Sequence, residues 1–330
     1  MRVVERAGLK ALSRMDPERA HGLALKILKA GLAPRSTAAR PGLSLRFAGL
    51  DLPNPVGLAA GFDKHAEAID PLLAAGFGFL EIGGVTPRPQ PGNPKPRLFR
   101  LSEDQAVINR FGFNSDGMDV VARRLEARGP GVVGINLGAN KESEDKTADF
   151  IAVLERCGPF VDFATVNVSS PNTAGLRDLQ GEALGPLLCR VQEANAAMAR
   201  PVPLMVKLAP DLEPEGLDQV AWAAEAAALS AIVATNTTVA RQGLQSHHRR
   251  ETGGLSGAPL KAPALDALKR LRGMTDLPII GVGGIASAED AAARLDAGAG
   301  AVQLYSALVF EGLSLVDRIL SGLAARSSAG

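Results

Sequence analysis

The chain has 330 residues, of which 46% are hydrophobic and 22% are charged, and its formal net charge is +1. This length allows a large buried core, arranged as two domains or as one α/β barrel, and the balanced charge gives no electrostatic basis for nucleic-acid binding. Cys157, Cys189 and the four histidines lack metal-ligand spacing, so we expect buried free thiols, a reducing compartment and no metal site. We expect neither a membrane-spanning helix nor a secretory signal.

The first 35 residues differ from the rest of the chain. Apolar residues recur there at helical spacing, and Asp16-Pro17-Glu18 predicts an N-cap and the start of a second helix that ends near Gly31 and Pro34. Eight basic and three acidic residues give this segment an excess of five positive charges. Two basic amphipathic helices can lie on an anionic membrane surface. The alternative is a helical hairpin that packs on the main domain with a solvated basic face.

A regular alternation of strand-like and helix-like segments begins at Val56. Apolar runs predict eight buried strands, at 56–59, 79–82, 132–135, 161–166, 204–208, 231–234, 279–282 and 301–304. Helix-like stretches fall between them at 117–128, 145–157, 183–199, 215–228, 263–272 and 287–297. This pattern predicts a parallel sheet covered on both faces, most simply closed as a (β/α)8 TIM barrel. An open doubly wound sheet is the alternative, although no Gly-x-Gly-x-x-Gly opens the first helix. The expected domains are a helical segment at 1–40 and the barrel at 41–330.

In such a barrel, functional residues follow the carboxyl ends of the strands. The fourth strand runs into Asn167-Val168-Ser169-Ser170-Pro171-Asn172-Thr173, which offers many hydrogen-bonding groups and little core volume. Taken alone, this segment could be a loop that satisfies its own backbone. Polar residues recur, however, after the other strands. These strand ends carry Ala60-Gly61-Phe62-Asp63-Lys64, Gly83-Gly84-Val85-Thr86, Asn136, Lys207, Thr235-Asn236-Thr237, Gly283-Gly284 and Tyr305-Ser306.

The residue types at these strand ends indicate an anionic ligand. Lys64 and Lys207 would be costly to bury unless an anion met them. The glycine pair after the seventh strand precedes Ser287, which with Asp290 predicts a capping box, and this is the usual phosphate site of the fold. Residues 253–257 are expected to form a further flexible glycine segment. Ser170 is the only obvious hydroxyl at the fourth strand end for proton transfer, and a relay or water must carry the proton onward because serine is a poor base.

Eight motifs occur in the chain in a set order: Ala-Gly-Phe-Asp-Lys, Thr-Pro-Arg-Pro-Gln-Pro-Gly-Asn-Pro, Asn-Arg-Phe-Gly-Phe-Asn, Asn-x-Ser-Ser-Pro-Asn-Thr, Val-Lys-Leu-Ala-Pro-Asp, Ala-Thr-Asn-Thr-Thr, Gly-Gly-Leu-Ser-Gly and Gly-Val-Gly-Gly-Ile. Together they resemble dihydroorotate dehydrogenases of the quinone-dependent class 2, and the likeness covers essentially the whole chain. The resemblance implies an enzyme of pyrimidine biosynthesis that oxidises (S)-dihydroorotate to orotate. FMN would be the hydride acceptor, and ubiquinone or menaquinone the final electron acceptor.

The resemblance also implies residue roles. Ser170 would take the proton from substrate C5 while hydride leaves C6 for flavin N5, and Lys207 would stabilise negative charge on the reduced flavin. The substrate site would comprise Lys64, Asn109, Arg110, Phe111, Gly112, Phe113, Asn167, Asn172, Asn236 and Thr237. The FMN site would comprise Ala60, Gly61, Phe62, Asp63, Lys64, Gly84, Asn136, Asn167, Lys207, Thr235, Gly257, Gly284, Tyr305 and Ser306. The quinone head group would lie near His21, Arg100 and Tyr305.

The residue type at position 170 distinguishes the two classes of this family, and this chain has serine there. Class 1 relatives carry cysteine as the base and lack the N-terminal extension, whereas class 2 helices form the mouth of a quinone tunnel. The resemblance therefore favours a membrane-surface role for the first helices. It implies a peripheral protein on the cytoplasmic face of the cell membrane, either a monomer or a loosely associated assembly. One departure is Gly84, where many relatives have threonine or serine; FMN affinity would be lowered only if that hydroxyl makes a contact.

Three other functions stay open on the sequence. The first is a class 1 type enzyme that uses a soluble electron acceptor. The second is a barrel that binds phosphorylated metabolites without flavin, and the third is an inactive scaffold that keeps the fold.

Overall fold

The computed structural model describes residues 2–32, 34–36, 40–173 and 175–327. The strands in these residues are β1 (Leu45–Phe47), β2 (Leu50–Leu52), β3 (Val56–Leu58), β4 (Phe79–Val85), β5 (Leu98–Leu101), β6 (Ala106–Asn109), β7 (Val132–Leu137), β8 (Phe163–Asn167), β9 (Leu204–Leu208), β10 (Ala231–Ala234), β11 (Gly254–Gly257), β12 (Ile279–Val282) and β13 (Ala301–Leu304). The α-helices are α1 (Arg2–Leu12), α2 (Pro17–Lys29), α3 (Ile69–Ala74), α4 (Met118–Glu126), α5 (Lys146–Cys157), α6 (Leu184–Ala197), α7 (Pro214–Ala226), α8 (Lys261–Arg272), α9 (Ala288–Asp296), α10 (Ser306–Glu311) and α11 (Ser314–Ser327).

Eight parallel strands close into a barrel in chain order: β3, β4, β7, β8, β9, β10, β12 and β13. These are the eight strands that the apolar runs predict, so the (β/α)8 fold is confirmed. Strands such as β8 and β9 are buried at every residue, as expected where helices cover the outside and side chains fill the inside. The register pairs Asn167 of β8 with Lys207 of β9. It therefore brings two predicted site residues side by side at the carboxyl end of the barrel.

A short hairpin covers the opposite end of the barrel. Strands β1 and β2 pair antiparallel, and Phe47 packs in one cluster with Phe79 and Phe163 from the first residues of β4 and β8. The rings of Phe79 and Phe163 meet edge to face, with centroids 6.1 Å apart. The amino-terminal end of the barrel is thus filled with apolar side chains, which leaves the carboxyl end for polar chemistry.

A three-stranded antiparallel sheet projects beside the barrel. Its order is β11-β6-β5, and β11 pairs with β6 from Gly254 opposite Asn109 to Gly257 opposite Ala106. Residues 254–257 of the predicted glycine segment therefore form a strand that is paired with β6. The two backbones approach closely here, since a Cβ at Gly257 would lie 2.3 Å from the carbonyl oxygen of Gln105.

The N-terminal helices pack on this framework. Asp16 Oδ1 accepts a hydrogen bond from the Arg19 backbone N–H at 3.0 Å, which confirms the predicted N-cap of α2. Glu18 at the start of α2 forms an ion pair with Arg97 at 2.8 Å. Val4 and Leu32 nevertheless expose 76% and 73% of their surface. None of the helices in the described ranges is both long enough and apolar enough to cross a bilayer.

Candidate active site

One continuous cavity of about 1000 Å³ opens at the carboxyl ends of the barrel strands and extends beneath the N-terminal helices. Its barrel end is lined by polar side chains such as Asn136, Asn167 and Lys207. Its other end is lined by apolar residues of α1 and α2, including Leu9 and Leu28. A cavity that is polar at one end and apolar at the other can hold two ligands of different character.

Most of the sequence-predicted site residues line this cavity. They are His21, Ala60, Gly61, Phe62, Lys64, Gly84, Arg100, Asn109, Phe111, Gly112, Phe113, Asn136, Asn167, Ser170, Asn172, Lys207, Thr235, Asn236, Thr237, Gly257, Gly284, Tyr305 and Ser306. Asp63 and Arg110 do not line it. The Asp63 carboxylate accepts backbone N–H bonds from Glu67 and Ala68 at 2.8 and 2.7 Å. Arg110 forms an ion pair with Glu251 at 2.8 Å. Asp63 and Arg110 therefore hold loops that border the cavity.

A chain of amide hydrogen bonds runs up the barrel interior from one buried carboxylate. Asn136 Nδ2 donates to Glu81 Oε1 at 2.6 Å, and Gln303 Nε2 donates to Glu81 Oε2 at 2.7 Å. Asn167 Nδ2 then donates to Asn136 Oδ1 at 2.8 Å, and Asn236 Nδ2 to Asn167 Oδ1 at 3.3 Å. Because a carboxylate only accepts hydrogen bonds, Glu81 orients every amide above it.

Glu81 and Gln303 are site residues that the sequence analysis does not identify. Both are buried, at 0% and 1% exposure, inside strands predicted from their apolar neighbours. The available signal is the charge of Glu81 within the apolar run of β4, since an acidic side chain is rarely buried without partners.

The two serines after β8 have different environments. Ser169 Oγ donates to Asn167 Oδ1 at 3.0 Å and accepts from Asn236 Nδ2 at 2.9 Å, and it does not line the cavity. Ser170 Oγ accepts the Asn172 backbone N–H at 3.3 Å and lines the cavity. The hydroxyl of Ser169 is thus held by Asn167 and Asn236 and does not reach the cavity. Of this pair, Ser170 faces the space where a ligand can bind.

Two lysines supply positive charge to the polar end. Lys64 Nζ donates to the Gly61 carbonyl at 2.5 Å and lies 4.1 Å from the centre of the Phe111 ring. Desolvation lowers the pKa of Lys64 to about 8, with Glu18 opposing the shift. Lys207 is only 5% exposed, and burial also lowers its pKa, with Glu81 opposing. Both ammonium groups would gain from an anionic ligand in the cavity.

Glycines form a cup at one side of the polar end. Gly257 and Gly284 have positive φ values of 98° and 68°, and a Cβ at Gly284 would lie 2.4 Å from Lys261 Cα. The backbones of the two loops therefore meet here at close range. Ser306 donates a hydrogen bond to Ser256 Oγ at 2.8 Å on the same side. We name the backbone of 256–257 and 283–284 the glycine cup.

Helix α9 begins beside the glycine cup. Ser287 Oγ accepts the Asp290 backbone N–H at 3.2 Å, which confirms the predicted cap. The Asp290 carboxylate accepts the backbone N–H of Ala286 at 3.0 Å, one residue before the partner that a capping box uses. Asp290 also forms an ion pair with Lys261. The positive end of the α9 dipole favours an anion at this corner.

Three cavity residues surround the passage towards the N-terminal helices. His21 Nε2 donates to the Phe62 carbonyl at 2.8 Å, so the proton of the neutral ring lies on Nε2. Burial lowers the pKa of His21 to about 4, and Lys64 adds to the shift. The Tyr305 ring lies 5.6 Å from that of Phe62, and burial raises the pKa of its hydroxyl. Arg100 Nη1 donates to the Ser13 carbonyl at 2.9 Å, which joins β5 to the turn between α1 and α2.

Gly84 is in close contact with Phe113. A Cβ at Gly84 would lie 2.6 Å from the Phe113 ring, and both residues line the cavity. The aromatic ring therefore occupies the space where a serine or threonine side chain at this position would begin.

The cavity wall fits a polar ligand that carries an anionic group. Thr237 Oγ1 and Gln303 Oε1 are buried and have no hydrogen-bond partner among the described residues, although both residues line the cavity. Buried polar atoms in folded proteins nearly always have partners, so a ligand is expected to supply them. The lysines and the glycine cup supply complementary sites for negative charge.

The cysteines are not part of this wall. Cys157 and Cys189 are free thiols that do not line the cavity. Cys157 is buried, which raises its pKa to about 12, whereas Cys189 is partly exposed rather than buried as expected. No group of three or more histidine, cysteine or acidic residues in the described ranges could hold a metal ion.

The fold and the site define a (β/α)8-barrel enzyme with a polar active site at the strand carboxyl ends. The family model described as dihydroorotate dehydrogenase matches residues 42–326. A dihydroorotate dehydrogenase (quinone) of Cereibacter sphaeroides is 58% identical over 329 residues, covering 98% of this chain and 93% of the relative. That of Erythrobacter litoralis is 53% identical over 318 residues, covering 95% and 92%.

The chain also superposes on solved structures of dihydroorotate dehydrogenases. The ligand-free dihydroorotate dehydrogenase of Eimeria tenella superposes with a TM-score of 0.91 at 39% identity, covering 96% of each chain. Its complex with ferulenol gives a TM-score of 0.90 at 39% identity, covering 93% of this chain and 90% of the other. The chain therefore belongs to the dihydroorotate dehydrogenase family, in its quinone-dependent class, and is an oxidoreductase. This confirms the resemblance inferred from the eight motifs.

Proposed function

We propose that this chain oxidises (S)-dihydroorotate to orotate at an FMN cofactor and passes the electrons to a membrane quinone, in de novo pyrimidine biosynthesis. One observation carries the proposal: a single cavity joins the polar strand ends to an apolar space beneath α1 and α2. The reduced cofactor and a lipid-soluble acceptor must meet, and this cavity gives them a shared compartment away from bulk water.

FMN fits the residues at the barrel end. The glycine cup and the start of α9 would hold its phosphate, and the proposed ring and ribityl contacts come from Asn136, Asn167, Lys207 and Thr235. The chemistry that FMN supplies when bound is acceptance of a hydride from substrate C6 at its N5. Lys207 is almost fully buried, so its ammonium group would stabilise negative charge on the reduced ring strongly.

Dihydroorotate would bind beside the flavin. Lys64 meets its carboxylate, and the amides of Asn109, Asn172 and Asn236 complement the donors and acceptors of its ring. Asn172 Nδ2 already donates to Asn109 Oδ1 at 3.2 Å, which supports a shared role for these two amides. The substrate carboxylate would offset the free-energy cost of desolvating the Lys64 ammonium group.

Ser170 would take the C5 proton. Its Oγ faces the cavity and accepts one backbone N–H, which stabilises negative charge on that oxygen. An aliphatic hydroxyl is a weak base, so water or a polar neighbour must carry the proton onward.

The quinone would bind at the apolar end, with its head group near His21, Arg100 and Tyr305. The Tyr305 hydroxyl can donate a hydrogen bond to a quinone oxygen, and Nδ1 of the neutral His21 ring can accept one from the hydroxyl of the reduced quinone, so neither group adds a fixed charge. The apolar residues of α1 and α2 suit an isoprenoid tail. In this proposal residues 1–40 form a helical segment that docks on the cytoplasmic membrane surface, and residues 41–330 form the catalytic barrel of a peripheral, monomeric protein.

The spectrum of the purified full chain tests the proposal. We expect a flavin absorbance band that bleaches when dihydroorotate is added without oxygen and returns when a quinone is added. A colourless protein that binds no flavin would instead support a metabolite-binding barrel. A flavin band that dihydroorotate never bleaches would support an inactive scaffold. Turnover with fumarate or NAD would support a soluble acceptor.

Replacing Ser170 by alanine tests the proposed base. We expect FMN to stay bound and the rate of flavin reduction by dihydroorotate to fall by about 10²- to 10⁴-fold, since general base catalysis contributes that much. Stopped-flow absorbance measures the rate, and the unchanged oxidised spectrum and thermal midpoint serve as controls. A normal reduction rate in the variant would show that another group takes the proton.

A further inference from the structure

Arg294 on α9 is a fully buried cation behind the glycine cup. Its exposure is 0%. Nη2 donates to the carbonyl oxygens of Gly283 and Lys261, at 2.8 and 2.6 Å. Nε and Nη1 are buried and have no hydrogen-bond partner among the described residues. Arg294 does not line the cavity, so it acts from the protein side of the loop.

The charge of Arg294 is not neutralised locally. No carboxylate of the described residues forms an ion pair with it, and Asp290 is instead paired with Lys261. Burial lowers the pKa of Arg294, with Asp290 and Asp266 opposing more weakly, but a guanidinium remains protonated in proteins. Burying such a charge without a partner is costly. An anion bound on the other side of the loop would offset part of that cost.

The contact with the Gly283 carbonyl also orients the loop. The peptide bond between Gly283 and Gly284 is trans, because the cis bonds of the described residues lie elsewhere. In a trans peptide the C=O and N–H groups point in opposite directions. Holding the Gly283 carbonyl towards Arg294 therefore turns the Gly284 N–H away from it, and Gly284 lines the cavity. The second contact, to Lys261, joins the loop to the start of α8.

We propose that Arg294 is a positioning residue for a phosphate monoester in the glycine cup. It holds the Gly284 N–H towards the cavity and supplies a positive charge behind it without touching the ligand. The inference rests on the proposed function, in which that monoester is the phosphate of FMN. It extends the proposal to a residue whose sequence signal is one arginine after three alanines in α9.

The test compares FMN with riboflavin, which has the same ring but no phosphate. The full chain, freed of flavin, is titrated with each compound, and flavin fluorescence gives the dissociation constants. Arg294→Met keeps an unbranched apolar side chain and removes the charge and both hydrogen bonds. Arg272→Met is the matched control, because Arg272 donates to the carbonyls of Leu277 and Thr275 at the far end of α8, away from the cavity.

We expect Arg294→Met to weaken FMN binding by about 10- to 100-fold, the effect of losing hydrogen bonds and charge near a charged group. Riboflavin affinity should change by less than about threefold. Arg272→Met should leave the ratio of the two affinities unchanged. An equal loss for both compounds in Arg294→Met would overturn the inference and show a structural role. If the wild-type chain binds no FMN, the proposed function itself fails.

A second pair of variants keeps the test decisive if Arg294→Met does not fold. Arg294→Lys retains the charge and one donor group, whereas Arg294→Gln retains a donor without charge. We expect the ratio of FMN affinity to riboflavin affinity to be higher in Arg294→Lys than in Arg294→Gln. Equal ratios in the two variants would refute a role for the charge.

Discussion

At the scale of single residues, the site depends on a few buried polar groups with defined orientations. Glu81 can only accept hydrogen bonds, so the amides of Asn136 and Gln303 must turn their nitrogens towards it. Each following amide inherits its direction from the one below. The same burial perturbs the lysines, because a charge in the cavity wall loses solvation that only a ligand or a distant carboxylate can replace.

The affinity for orotate should depend on pH through the charge of Lys64. Because burial lowers the pKa of Lys64 to about 8, its ammonium group is charged below that pH and neutral above it. Orotate affinity should therefore fall by about 10- to 100-fold as pH rises through and beyond 8, as the charge that meets the carboxylate is lost. Perturbation of the flavin spectrum by orotate measures the dissociation constant. Lys64→Arg should keep high affinity at alkaline pH, and a wild-type affinity that is constant up to about pH 10 would contradict the assignment.

The buried carboxylate of Glu81 should contribute to the stability of the fold. In Glu81→Gln the new amide nitrogen replaces one acceptor oxygen, so in their present orientations Asn136 or Gln303 would face a second donor. We expect the free energy of unfolding to fall by about 1–3 kcal/mol, the cost of a buried unsatisfied polar group. Urea unfolding measures this change. The matched control is Glu103→Gln on an exposed turn, which should shift stability by less than about 0.5 kcal/mol. Equal stabilities of the two variants would show that the network is not under this constraint.

At the scale of elements, helix α2 forms one wall of the cavity while its ends are tied to the barrel. The Glu18 and Arg97 ion pair holds its first turn, and Lys29 forms an ion pair with Glu67 at 3.0 Å near its last turn. His21 is bonded to the Phe62 backbone between them. These contacts keep the helix over the cavity, so the passage beneath it is formed by the folded chain itself. A single large side chain on α2 should therefore block it.

Adjacent residues of α2 allow a matched test of that passage. Ala24 lines the cavity, whereas Leu23 does not and is 38% exposed. Ala24→Trp should lower the rate of quinone reduction by roughly tenfold or more, because the large ring would occupy the passage that the quinone must use. Flavin reduction by dihydroorotate should stay normal, and Leu23→Trp should change neither rate. A short-chain quinone and stopped-flow absorbance separate the two steps. Normal quinone reduction in Ala24→Trp would exclude this route.

At the scale of the whole molecule, charge is distributed unevenly. Residues 1–35 carry a net charge of +5 in a chain whose total is +1, so the remainder carries −4. The same segment exposes large apolar side chains at Val4, Met15, Leu23, Ile27 and Leu32. Basic charge combined with exposed apolar surface is typical of segments that bind an anionic lipid surface. The cavity opens beneath these helices, which would place its apolar end next to the lipid that contains quinone.

Vesicle binding tests this arrangement. The full chain should sediment with vesicles that contain anionic phospholipid, and added salt should weaken the binding, since each basic residue near such a surface contributes about 1 kcal/mol. Replacing exposed Lys10 and Lys26 by glutamate should reduce binding strongly. The same change at exposed Lys269 and Arg270 on α8 should have little effect. Equal binding to anionic and neutral vesicles would contradict an electrostatic contribution from the N-terminal helices.

Local sequence signals predict the order and type of the barrel elements, the cap at Asp16 and the positions of the strand ends. Buried strands and helix starts have local signals, because apolar runs, proline and capping side chains act within a few residues. Those strand ends were enough to nominate Lys64, Ser170 and Lys207 for one site, since parallel strands in a barrel end on one face.

The support of those residues comes from tertiary contacts that the sequence does not predict. The pairing of β6 with β11, the Glu81 network and the contact of Arg294 with the glycine cup all join segments that lie far apart in the chain. The different environments of the Ser169 and Ser170 hydroxyls also depend on Asn236, which lies at another strand end and donates a hydrogen bond to Ser169. Such contacts carry no local signature, because their free energy comes from partners that meet only after the barrel has closed.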